Sequence, residues 1–86
     1  MEPIRDFSRL TATDHVINRM KERNIGAHEV RKAVEEGEVY DGETPTTIKY
    51  RLEIPGVDLV AAVDIPKEKV VTVYYDDDQG AKGGRL

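Results

Sequence analysis

The chain has 86 residues, of which 38% are hydrophobic and 35% charged, and it has no cysteine and a net charge of −4. About a quarter of the residues are Val, Ile, Leu or Phe, which exceeds the roughly one-fifth level below which chains tend to be disordered. The sequence therefore predicts one small folded domain and excludes a disulfide framework, a thiolate zinc site and a cysteine nucleophile.

The sequence has no pattern typical of a transmembrane helix or of a secretory signal. Apolar runs stay well below the ~20 residues of a membrane helix, and residues 1–6 lack the basic-then-apolar order of a secretory signal. We therefore expect a cytoplasmic protein that does not bind membranes. Because the net charge is negative, any surface that binds phosphate must be a local patch. With two histidines, neither a metal site nor another cofactor is expected.

Three regions are predicted along the chain. Residues 1–12 are expected to form an irregular N-terminal segment, residues 13–75 a single domain, and residues 76–86 a flexible acidic and glycine-rich tail. Phe7 and Leu10 are expected to pack against the core.

Two amphipathic helices are predicted in the first half of the domain. The first runs from Thr13 or Asp14 to about Arg23, and the second from Ala27 to Glu36. The apolar residues that recur at helical spacing are Val16, Ile17 and Met20 in the first, and Ala27, Val30, Ala33 and Val34 in the second. Gly37 lies where a helix commonly ends.

The hydrophobic period then changes to that of β-strands. A short strand is predicted at residues 39–40, and residues 48–54 alternate apolar with charged side chains, which is typical of a strand with one buried face. Residues 57–65 and 70–75 are predicted as two further strands, with Val71, Val73 and Tyr75 on the buried face of the last one. The order predicts an α+β domain in which two N-terminal helices pack on one face of a three- to four-stranded antiparallel sheet.

The first helix carries a candidate catalytic row. His15, Arg19 and Arg23 are four residues apart, so they share one flank of the helix beside its apolar stripe. A histidine can act as general acid or base near neutral pH, and arginines can stabilise the charge that develops on a phosphoryl group. The same row is also consistent with ordinary surface residues.

The face of the sheet opposite the helices carries the other candidates. Lys49 and Arg51 project from one strand and could hold a phosphate backbone, or they could form a solvated face with Glu53 as counter-charge. Thr72 and Tyr74 alternate on the last strand, where Tyr74 could stack on a base, donate a proton or simply pack.

Three segments, His15–Ile25, Glu29–Val39 and Val70–Tyr74, resemble the domain-of-unknown-function family 4258 over about residues 13–75. The family looks like an outlying member of the RelE/ParE-like group of small toxins and metal-independent ribonucleases. The resemblance implies an α+β, RelE-like fold and a ribonuclease or toxin role, often beside an antitoxin. Asn24 stands where the family has Gly, and the acidic balance departs from ribosome-directed toxins, which tend to be basic.

The residues that match the family pattern are His15, Arg19, Arg23, Thr72 and Tyr74, and Arg51 lies where a strand Arg or Tyr is common.

Two functions are consistent with these features. The first is a toxin-type, metal-independent endoribonuclease in which His15 acts as acid or base, and in which Arg19 and Arg51 hold the phosphate that Thr72 or Tyr74 orients. In that hypothesis Arg23 and Lys49 bind substrate. The second is a non-enzymatic module that binds an antitoxin or another protein through the open sheet face or an edge strand. The oligomeric state is not predicted.

Overall fold

The computed structural model describes residues 1–76, which form an α+β domain with two layers. The helices are α1 (Asp14–Glu22) and α2 (Ala27–Glu36). The strands are β1 (Thr11–Ala12), β2 (Glu38–Asp41), β3 (Thr47–Ile54), β4 (Val57–Asp64) and β5 (Lys69–Asp76). Both helices pack on the same face of the sheet, α1 against β5 and α2 against β3 and β4. The tail predicted at residues 76–86 lies, from residue 77 onward, outside the described residues.

The sheet has five strands in the order β1-β5-β4-β3-β2, which corrects the expected three or four. It is also mixed rather than antiparallel, because β1 pairs with β5 in parallel through Thr11↔Lys69 and Ala12↔Val70. The predicted irregular segment 1–12 thus contains a strand, preceded by a 3₁₀ turn at Phe7–Arg9. A strand of two residues is too short to show the alternation on which strand prediction depends.

Local hydrogen bonds explain where the helices begin and end. The Thr13 side chain accepts the Val16 N–H at 3.2 Å and caps the start of α1. At the end of α1, Asn24 adopts a positive φ of 58°, a conformation that asparagine tolerates better than most residues. The chain reverses there, and α2 begins where the Glu29 carboxylate accepts the Gly26 N–H at 3.0 Å.

The N-terminal residues are fastened to the core through one tyrosine. Tyr50 is 0% exposed, and its hydroxyl donates to the Ile4 carbonyl and accepts from the Ile4 N–H, both at 2.8 Å. Next to it, the Arg5 guanidinium donates to the carbonyls of Val34 and Gly37 at the end of α2. Burial raises the pKa of Tyr50. The Tyr50 hydroxyl therefore supplies hydrogen-bond partners for the backbone of Ile4, which is buried and lies outside every helix and strand of the described residues.

We expect Tyr50→Phe to lower the free energy of unfolding by about 1–3 kcal/mol, because the buried Ile4 N–H and C=O lose their partner. Urea denaturation would measure the change, with Tyr40→Phe as the control, since among residues 1–76 the exposed Tyr40 hydroxyl forms a hydrogen bond only with Glu38, at 3.4 Å. An unchanged midpoint for Tyr50→Phe would contradict this role.

The pH dependence of stability provides a second test of the contact between the Tyr50 hydroxyl and Ile4. In the unfolded chain a tyrosine ionises near pH 10, whereas the folded pKa of Tyr50 is higher. The stability that Tyr50 contributes is therefore fully present below about pH 10 and is lost as the pH rises through the folded value. The Tyr50→Phe variant should lose this component of alkaline destabilisation.

Within the described part of the chain, neither helix is long and apolar enough to cross a membrane.

Candidate functional site

A surface groove of about 420 Å³ lies between α1 and β5. We call it the α1–β5 groove. Its lining residues are His15, Arg19 and Arg23 from the helix and Thr72, Val73, Tyr74 and Tyr75 from the strand. Five of the residues predicted from the sequence are therefore brought to one place.

The groove exists because β1 is short. It pairs with only Lys69 and Val70 of β5, so among residues 1–76 the rest of that edge of β5 is left uncovered by a neighbouring strand. Helix α1 packs beside this edge, with Val16 buried in the core and Met20 packed against it.

The helical repeat of α1 places its three basic side chains in a row on one flank of the helix. His15, Arg19 and Arg23 are each four residues apart and lie on the flank next to the buried Val16 and the half-buried Met20. Successive members are displaced by about 6 Å along the helix axis. All three side chains are exposed, so the row presents three nitrogen-bearing groups along one wall of the groove.

A bulge in β5 shapes the opposite wall. Thr72 pairs with Ala62, but Val70 pairs with the next residue, Val63, so Val71 is the extra residue. Val71 is 40% exposed, which corrects its predicted place on the buried face with Val73. A bulge bends its strand and increases the local twist, and here it immediately precedes the residues that line the groove.

The charge of the groove is positive although the chain as a whole is acidic. Among residues 1–76, no carboxylate lines the groove and none forms an ion pair with Arg19 or Arg23. An anion entering the groove would not have to displace a carboxylate of these residues. The arrangement suits a phosphate that needs both charge and a nearby proton-transfer group.

Comparison with known proteins gives a family for this fold. The family model described as Domain of unknown function (DUF4258) matches residues 12–75. The chain belongs to the DUF4258 family. No curated protein and no solved structure gives a significant match. The match includes each of the described residues that line the groove, and it confirms the family resemblance seen in the sequence.

Two predicted site residues of the DUF4258 domain lie outside the groove, on the open face of the sheet. Lys49 Nζ donates to Glu43 at 2.7 Å. Its pKa is raised, first by that hydrogen bond and to a lesser extent by the neighbouring Tyr74. Tyr74 thus faces Lys49 on one side and the groove on the other, but Lys49 itself does not line the groove.

Arg51 is engaged by two carboxylates. Its guanidinium donates to Asp58 at 2.7 Å and to Asp76 at 2.8 Å, and these hydrogen bonds raise its pKa. Asp58 is 4% exposed, and its Oδ1 has no hydrogen-bond partner among the described residues. The positive charge of Arg51 therefore compensates a buried acid and ties β3 to β4 and β5.

Tyr75 lines the groove although the sequence analysis did not select it as a site residue. Its hydroxyl donates to the Glu29 carboxylate at 3.3 Å, and burial raises its pKa. The alternation along β5 indicates that Tyr74 and Tyr75 face opposite sides of the sheet, but it does not reveal that both border the same groove at the edge.

Proposed function

We propose that this DUF4258 domain is a RelE/ParE-related, toxin-type ribonuclease that cleaves RNA in the α1–β5 groove without a metal ion. The observation that carries the proposal is the convergence of His15, Arg19 and Arg23 with the hydroxyls of Thr72 and Tyr74 in one groove, to whose lining the described residues contribute no carboxylate. Each of these groups has a role in phosphoryl chemistry, and the spacing of four residues aligns the cations along the path of a phosphate backbone.

The proposed reaction uses a nucleophile that RNA itself supplies. The 2′-hydroxyl oxygen forms a bond to the adjacent phosphorus, and the bond from phosphorus to the 5′-oxygen breaks. The 2′-hydroxyl proton leaves to a base and the 5′-oxygen gains a proton, which yields a 2′,3′-cyclic phosphate and a 5′-hydroxyl. His15 accepts or donates one of these protons, the arginines balance the charge on the phosphorane, and Thr72 and Tyr74 position the phosphate.

In this proposal Arg51 and Lys49 do not have the roles predicted from the sequence, in which Arg51 holds the phosphate and Lys49 binds substrate. Both already contact carboxylates, at 2.7 Å in each case for the shortest bond. In the proposal, Arg51 supports the strand that carries Tyr74, and Lys49 contacts Tyr74 from the open face of the sheet. Neither binds the reacting phosphate.

The test is cleavage by the full chain in the presence of a metal chelator. The substrates are a mixed-sequence single-stranded RNA and messenger RNA on translating ribosomes. We expect fragments that end in a 2′,3′-cyclic phosphate, and no cleavage at a position that carries a 2′-deoxy sugar. Intact RNA in both settings, or cleavage that persists at the deoxy position, would reject the proposal.

Neutralising the two arginines should weaken RNA binding and its dependence on salt. For single strands, the logarithm of the affinity falls with the logarithm of salt concentration by about 0.7 per phosphate contacted. We therefore expect the double variant Arg19→Gln, Arg23→Gln to reduce that slope by about 1.4. Fluorescence anisotropy with a non-cleavable 2′-O-methyl RNA would measure it.

The matched control for this prediction is Arg31→Gln, Lys32→Gln, which removes two exposed positive charges from α2. It changes the net charge equally but leaves the groove intact. If the two double variants reduce the slope by the same amount, binding depends on overall charge and not on the groove.

A further inference from the structure

The edge of the sheet farthest from the groove has the features of a docking strand. Among residues 1–76, β2 is the last strand on that side, and all four of its residues are exposed. Val39 is 37% exposed and Tyr40 is 45% exposed. Exposed apolar side chains on an unpaired edge are the usual template for the addition of another strand.

The register shows which backbone groups of β2 point outward. Gly42 N–H donates to the Thr47 carbonyl at 2.8 Å, and hydrogen-bonded pairs alternate with non-bonded pairs along an antiparallel ladder. The pairs Tyr40↔Lys49 and Glu38↔Arg51 are therefore the bonded ones. It follows that Val39 and Asp41 direct their N–H and C=O groups away from β3.

The segment that contains this edge strand is acidic, although Arg51 and Lys49 of β3 lie opposite Glu38 and Tyr40. Residues 35–43 contain five acids and no Lys or Arg. Glu35 pairs with Arg31 and Glu43 with Lys49, whereas Glu38 and Asp41 form no ion pair with residues 1–76. Beyond the end of β2, a groove of about 510 Å³ is lined by Asp41 and Glu43 among others.

The same charges argue against a second copy of this chain as the occupant. Two-fold pairing of two β2 strands would bring the five acids of residues 35–43 of one copy beside the same five acids of the other, with no lysine or arginine in that segment to compensate them. Like charges that lie close together across a pair of strands destabilise the pair. An extended segment with basic side chains would instead be attracted to this edge, because its cations would lie beside Glu38 and Asp41.

We propose that β2 docks an extended, basic segment of a partner protein, which adds to the sheet as a further strand. The outward N–H and C=O groups of Val39 and Asp41 bind its backbone. The partner's apolar side chains pack against Val39 and Tyr40, and its lysines or arginines contact Glu38 and Asp41. The groove beside Asp41 and Glu43 receives one further basic side chain. This docking strand lies on the opposite edge from the α1–β5 groove, so the proposal is independent of the ribonuclease activity.

The probe is the synthetic peptide Lys-Lys-Val-Val-Lys-Lys, about the length of a typical strand, which presents lysine and valine on both of its faces because Glu38 and Asp41 lie on opposite faces of the sheet. The matched control peptide replaces lysine with glutamate. Backbone amide exchange, followed by NMR, should show that the lysine peptide newly protects the amides of Val39 and Asp41. The amides of Glu38 and Tyr40 already bond to β3 and should change little.

Charge neutralisation supplies the second measurement. The double variant Glu38→Gln, Asp41→Asn should bind the lysine peptide roughly threefold to thirtyfold more weakly, as expected for two exposed charge pairs. The control Asp14→Asn, Glu22→Gln, which removes two exposed acids from α1, should bind it like the wild type. Equal binding of the glutamate peptide, protection elsewhere in the sheet, or protection of Val39 and Asp41 by self-association would overturn the proposal.

Discussion

Replacement of His15 by alanine is expected to slow RNA cleavage by about 10²–10⁴-fold, which is the usual contribution of general acid–base catalysis. The imidazole is exposed on α1, so its removal should leave the fold intact. Arg19 and Arg23 remain in the variant, and binding of a non-cleavable RNA should therefore stay within about threefold of the wild type, because proton transfer and not phosphate binding is lost. Single-turnover cleavage and anisotropy would measure the two effects separately.

His28 provides the matched control, since it is the other histidine of the chain and is exposed in the first turn of α2, outside the groove. His28→Ala should cleave RNA at the wild-type rate. If His15→Ala also cleaves at that rate, the imidazole has no part in the reaction. If both variants fail equally, the loss reflects unfolding of the protein, which thermal denaturation would reveal.

The elements that were predictable from the sequence are those with several residues in phase. Helix α1 is marked by Val16 and Met20, and β3 by the alternation of Ile48, Tyr50 and Leu52, all of which pack in or against the core. The sequence does not predict strand β1, because two residues are too few to show the alternation that marks a strand. Ile17, assigned to the apolar stripe of α1, is 40% exposed, because it lies at the margin of the helix face that contacts the sheet.

The candidate site was predictable in the parts that depend on local geometry. The row of His15, Arg19 and Arg23 follows from the helical repeat, and the place of Thr72 and Tyr74 on one face follows from strand alternation. That these two sets meet depends on how far β1 covers β5, which is a property of the whole sheet.

The partners of Arg51 illustrate the difference between a short-range and a long-range contact. The turn at Pro55–Gly56 fixes the β3–β4 register, with Glu53 opposite Asp58, so Asp58 could have been placed on the face of Arg51. Asp76 reaches the same face only through the β4–β5 register, which shifts by one residue at the bulge. A period-based prediction carries no information about that shift.

Arg51→Met is expected to lower the free energy of unfolding by about 3–5 kcal/mol, because removing one member of a buried ion pair leaves the other charge uncompensated. The charge left behind belongs to Asp58, which is 4% exposed. Urea denaturation would measure the loss. The control is Lys49→Met, a neighbouring cation on the same strand and face whose partner Glu43 is exposed, and its cost should be within about 1 kcal/mol.

A second substitution separates the structural role of Arg51 from the catalytic role predicted for it. Adding Asp58→Asn to Arg51→Met removes the uncompensated charge and should recover part of the lost stability, since two residues in direct contact are energetically coupled. Below its unfolding transition, each folded molecule of Arg51→Met should cleave RNA within about tenfold of the wild-type rate, less than the 10²–10⁴-fold loss of a proton-transfer group. If Arg51→Met instead folds as stably as Lys49→Met and fails to cleave, Arg51 acts on the substrate, and the groove between α1 and β5 is only part of the site.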